Sequence, residues 1–64
     1  MTKTNVKVKL TGKDGNAFAI LGNVRAAMRK AKVDQAIIEE YTEEATAGDY
    51  DHLLATTCEY VRVS

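Results

Sequence analysis

The chain has no proline, no tryptophan, one cysteine, one phenylalanine and no apolar run longer than the five residues Ala17 to Leu21. Each shortage closes off a class of protein. A lone Cys58 cannot form an internal disulfide, so a disulfide scaffold is excluded and a reducing cytoplasm is the expected compartment. Five apolar residues fall far short of the roughly 20 that a membrane-spanning helix needs. No apolar stretch follows Met1-Thr2-Lys3-Thr4, so neither a secretory leader nor a membrane partner is expected.

What remains is a chain of 64 residues, 45% hydrophobic and 28% charged, the balance of a globular rather than a disordered protein. One domain spanning 1–64 is expected. A domain this small buries only about 60% of the surface its unfolded chain exposes. Net charge is zero, but the charges are sorted along the chain. Residues 1–32 hold eight basic side chains and one acid, a balance of +7; residues 33–64 hold one base and eight acids, a balance of −7. Each half alone would point to a different partner.

Val6, Val8 and Leu10 alternate with Lys7 and Lys9, which predicts a half-buried strand over about 4–10. Thr11 to Asn16 is turn chemistry. Ala17, Ile20, Leu21, Val24, Ala27, Met28 and Ala31 then fall within an arc of roughly 120°, predicting a helix over 16–32 with a core-facing stripe. A hairpin with a second strand over 16–21 competes; the stripe running on to Ala31 favours the helix. Asp34 is a good N-cap for a second helix, and Val33 can pack on Ile38. Ile37, Ile38, Tyr41 and Ala45 mark its inner side, and Ala47-Gly48 its stop. Asp49 caps a third helix with Tyr50, Leu53, Leu54, Thr57 and Cys58 facing inward and His52, Thr56 and Glu59 outward. Tyr60 to Val63 alternates again as a final strand, whose Val61 and Val63 should share a buried face with Val6, Val8 and Leu10. The expected fold is α+β, in the order β-α-α-α-β, with a small two-stranded sheet covered by helices. Antiparallel pairing of two copies could extend that sheet in a homodimer.

Two stretches, Asp14-Gly15-Asn16-Ala17-Phe18-Ala19-Ile20-Leu21-Gly22 and Gly48-Asp49-Tyr50-Asp51-His52-Leu53-Leu54-Ala55-Thr56, resemble a group of short proteins encoded by phages and mobile elements. The resemblance covers most of the chain. It implies a genomic setting and no particular activity.

No catalytic constellation emerges. His52 and Cys58 lie six residues apart and about 120° apart around the third helix, too far for a nucleophile–base pair, so a solvated histidine and a packed thiol are expected. Asp49, Asp51 and His52 lack the convergent ligands of a metal site. No cofactor is expected either, since Gly12-Lys13-Asp14-Gly15 lacks the full phosphate-loop pattern and carries Asp14 where a phosphate would sit. Interaction surfaces remain. Glu39, Glu40, Glu43 and Glu44 form an acidic helix face that could dock a basic protein partner. Phe18, Gly22, Arg25 and Arg29 share a second face of the first helix, with Ala19 and Ala26 just beyond. Gly22 costs that helix about 1 kcal/mol relative to alanine. Such a face packs inward, with Phe18 in the core beneath the third helix, or against a second subunit or a ligand. With Lys7, Lys9 and Lys13 it could also stack a base and hold its phosphate, an alternative that makes the basic half a nucleic-acid or nucleotide site.

Overall fold

The computed structural model describes residues 2–9 and 17–63. Five elements follow one another: β1 (Lys7–Val8), α1 (Ala17–Lys30), α2 (Gln35–Ala45), α3 (Tyr50–Tyr60) and β2 (Arg62–Val63). The two strands pair in parallel, Lys7 with Arg62 and Val8 with Val63. Parallel neighbours need a long crossover, and the three helices supply it. α1 packs on β1 and α3 on β2, while α2 packs on both other helices. The fold is the expected small α+β arrangement.

β1 is much shorter than the strand expected over 4–10, and the backbone says why. Asn5 sits at φ 58°, a left-handed conformation that interrupts an extended run. Ahead of it, the Lys3 and Thr4 amides donate to the carbonyls of Glu59 and Tyr60 at 3.0 and 3.1 Å. The N-terminal segment thus satisfies carbonyls that the end of α3 leaves without helical partners. Val6 is half-buried, Val8 is buried, and Leu10 lies outside the described residues. At the other end Val61 is fully buried, but Val63 is 40% exposed, because the sheet ends there. The single buried valine face is therefore corrected to Val8 and Val61, with Val6 packed against them.

α1 buries Ile20, Leu21, Val24 and Met28, as its periodicity requires. Ala31 is exposed and outside the helix, because the chain turns at Lys32 with φ 62°. There the Val33 amide donates to the Met28 carbonyl at 2.9 Å and the Lys32 amide to that of Arg29 at 3.0 Å. This is a Schellman stop, built here without glycine. Asp34 caps α2 through the Ala36 amide at 3.1 Å, and Asp49 caps α3 through the His52 amide at 2.9 Å.

The buried face of α3 differs from the expected one. Leu53, Thr56, Thr57 and Tyr60 point inward, whereas Tyr50 and Cys58 are exposed and Leu54 is half-buried. Cys58 is not a core thiol, and Thr56 is not an outer residue. Two interactions set the rotation. The Tyr60 ring meets that of Tyr41 edge-on at 5.3 Å and 62°, and the Tyr41 and Thr57 hydroxyls bond at 2.8 Å. Thr57 also donates to the Leu53 carbonyl at 2.8 Å. Its one proton is thereby used, so Tyr41 is the donor in a buried relay from Tyr41 through Thr57 to Leu53. Burying an aromatic ring outweighs burying a thiol, so Tyr60 sets the inner face and Cys58 is left outside.

Candidate functional site

α1 leaves its N-terminal half unusually apolar on the outside. Phe18 is 84% exposed, so of the places open to it the core beneath the third helix is excluded. Gly22 is exposed as well, and a methyl group added there would meet nothing within 4 Å among the described residues. Neither the backbone angle nor crowding among the described residues calls for glycine at this position.

Phe18 stands on the rim of a groove of about 230 Å³ between the start of α1 and the α2–α3 corner. Ala17 and Leu21 line one wall; Ala45, Thr46, Gly48, Asp49, Tyr50 and Leu53 line the other. Tyr50, 40% exposed, is a second aromatic at the same opening. Phe18 and Tyr50 are both among the exposed large side chains, and both line this groove.

The corner that forms this groove is held by His52. Its Nε2 lies 2.8 Å from the Glu44 carbonyl and must carry a proton there, since a carbonyl only accepts. A side chain at position 48 would come within 2.8 Å of the imidazole, so Gly48 is needed for the ring's close approach. No glycine among the described residues has positive φ, and α2 ends at Ala45 with Thr46 as its C-cap, which corrects the stop expected at Ala47-Gly48; Gly48 instead makes room for His52. His52 is exposed as expected, yet it acts as a strut.

Arg25 and Phe18 do not form one surface. Arg25 is half-buried in a second groove, about 470 Å³, lined by Glu39, Thr42, Glu43 and Thr46. Its Nε is buried and meets no hydrogen-bond partner among the described residues. Arg29 is exposed at the end of α1. Glu40 accepts a hydrogen bond from the Tyr60 hydroxyl at 2.8 Å and pairs with Lys3 at 3.8 Å, while the Lys3 ammonium lies 4.7 Å from the Tyr60 ring centre. Burial, the bond to Glu40 and the charges of Glu40, Glu44 and Glu59 push the Tyr60 hydroxyl up to about 12. Glu39, Glu43 and Glu44 are exposed. Lys13 lies outside the described residues.

Lys3–Glu40 is the one ion pair among the described residues. The segment 34–60, which spans α2 and α3, holds eight acids and no lysine or arginine. Among the described residues no group of three histidine, cysteine or acidic side chains is placed to hold a metal ion, and no helix is long and apolar enough to cross a membrane. Sequence patterning located Phe18 and the acidic residues but missed Tyr50 and Leu53 as groove residues. Their signal is faint, since an aromatic and a leucine three apart on a helix read as core. Compared with known families, curated proteins and solved structures, the chain matches none.

Proposed function

We propose that the chain is a non-enzymatic binding module of the kind phages and mobile elements encode, and that it works in the cytoplasm by holding a basic, amphipathic segment of a host or phage protein. The observation that carries this reading is the groove beside Phe18 and Tyr50, with Asp49 in its wall. An apolar pocket flanked by aromatics takes a buried anchor from a partner, which is where binding energy concentrates. The acidic surface of α2 and α3 adds charge complementarity, which speeds encounter and selects partners rich in lysine and arginine.

Nucleic-acid binding has less support. A stacking platform needs aromatics interleaved with cations. Here Phe18 adjoins Asp49, and Arg25 sits between Glu39 and Glu43 in a different groove.

Fluorescence anisotropy with two labelled probes tests the reading: a synthetic helical peptide alternating leucine and lysine faces, and an oligothymidylate. The peptide should bind, with affinity lost in Phe18→Ser and weakened in Glu43→Lys. Its salt dependence should be shallow, because the anchor is apolar. Oligothymidylate binding with a steep loss in salt, and no peptide binding, would overturn the proposal.

A further inference from the structure

We infer that the groove between Arg25 of α1 and the acidic side of α2 is a binding site for a free basic amino acid of the lysine or arginine type. Arg25, Glu39 and Glu43 line no part of the Phe18 opening.

Glu39, Glu43 and Thr46 follow one another along α2 at spacings of four and three, which puts them on one face of the helix, with Thr42 beside them. Together with Arg25 they line a groove of about 470 Å³, a volume common among small-molecule sites. Each helix brings only one kind of hydrogen-bonding group to it. The Thr42 hydroxyl donates to the Ile38 carbonyl at 2.8 Å, and the Thr46 hydroxyl to the Thr42 carbonyl at 2.7 Å. Both protons are thus spent within α2, so the two hydroxyl oxygens and the two carboxylates are left as acceptors. From α1, the Arg25 guanidinium can only donate.

These opposite charges do not meet. Lys3–Glu40 is the one ion pair among the described residues, so Arg25 is joined to neither Glu39 nor Glu43 although all three line the groove. The Arg25 Nε is buried with no hydrogen-bond partner among the described residues. A buried charged donor left so is costly. A carboxylate seated on the guanidinium edge, accepting from Nε and Nη together, removes that cost. Glu39 and Glu43 lack the converse. They stand four apart on one helix face and repel one another until a cation lies between them.

A ligand that suits the groove therefore carries one carboxylate for Arg25 and two cationic groups for the glutamates. Free lysine and arginine hold this set in one small molecule, as an α-carboxylate, an α-ammonium and a side-chain cation. An inorganic anion fails because two carboxylates share its groove. A simple diamine fails because it leaves Arg25 unpaired.

Titration of the full chain, labelled with nitrogen-15, with lysine and detection by NMR tests this. Lysine should bind with a Kd of about 1 mM or tighter, as a ligand this small in an open groove allows. It should shift the Arg25 Nε resonance and the amides of Glu39, Glu43 and Thr46. Three analogues each lack one group: lysine amide the carboxylate, Nα-acetyl-lysine the α-cation, and norleucine the side-chain cation. Each should bind at least about fivefold more weakly than lysine. Arg25→Gln should weaken lysine binding about tenfold, and Glu39→Gln and Glu43→Gln about threefold each, with unchanged circular dichroism. Lys30→Gln removes a charge of the same sign from the last turn of α1, outside the groove, and should leave the affinity unchanged. No shift of these resonances at tens of millimolar lysine overturns the inference, as happens if Arg25 closes the groove onto Glu39 or Glu43. Lysine amide binding as tightly as lysine overturns it too, since the groove is then an acidic surface with no use for Arg25. Nα-acetyl-lysine binding as tightly as lysine overturns the free amino acid in favour of a peptide's carboxyl-terminal lysine.

Discussion

The Tyr41–Thr57 hydroxyl pair is a polar joint within the core, and both side chains are fully buried. Because Thr57 spends its proton on Leu53, the two halves of the pair are unequal. Tyr41→Phe removes the donor and leaves only an acceptor lone pair unmatched on Thr57, at a cost of about 1 kcal/mol. Thr57→Val keeps volume and shape but strands a buried phenolic O–H with no acceptor, at a cost of about 2 kcal/mol. The double variant has neither polar group, so it should be more stable than the summed singles by about 1 to 2 kcal/mol. Urea denaturation followed by far-ultraviolet circular dichroism resolves this. With a slope of roughly 1 kcal/mol per molar for a chain of this size, the single variants should lower the midpoint by about 1 and 2 M. A double variant whose loss equals that sum to within about 0.5 kcal/mol would refute the relay, since uncoupled sites add. A larger loss in Tyr41→Phe than in Thr57→Val would reverse the donor assignment.

Two other perturbations follow from the backbone and from Tyr60. Lys32→Gly should stabilise the protein by about 0.5 to 1 kcal/mol, because a left-handed L-residue costs roughly 1 to 2 kcal/mol, partly offset by the greater freedom of an unfolded glycine; a thermal midpoint unchanged or lowered would count against the Schellman turn. Tyr60 titrates near 12 when folded and near 10 when unfolded. Above pH 10 the unfolded chain therefore releases this proton first, so stability falls between pH 10 and 12 with a slope of up to about 1.4 kcal/mol per pH unit from this group. Urea midpoints across that range should fall less steeply in Tyr60→Phe than in the wild type, and equal slopes would remove Tyr60 as the cause.

The helices were legible in the sequence because their signals are local. Asp34 and Asp49 each bond an amide two or three residues on, and the α1 stripe repeats four times within one helix. The rotation of α3 was not legible. Thr56 and Thr57 count as polar by type, yet Thr57 is satisfied by Tyr41, a partner 16 positions away that no local window connects. The shortness of β1 was hidden for a similar reason, since Asn5 adopts positive φ where Lys3 and Thr4 leave the strand direction to reach the end of α3. The acidic face was visible as a charge count, and Phe18 as an oddity. The meeting of Phe18 with Tyr50 and Leu53 at one groove required the α2–α3 corner, which His52 and Gly48 shape through contacts outside any periodicity.

Thr4 bonds the Tyr60 carbonyl across 56 positions of sequence, and β1 meets β2 across a similar gap. Contacts that distant close a loop nearly as long as the chain, and the loss of loop entropy comes before any reward. The α2–α3 hairpin, with its short connection and local caps, is the natural nucleus, and the sheet is the step that completes the fold. During synthesis β1 is made before the three helices, and its partner β2 only after them. Until β2 arrives, Lys7 and Val8 present an unpaired edge, and the exposed Lys3, Lys7 and Lys9 along that segment keep it charged and soluble in the interval.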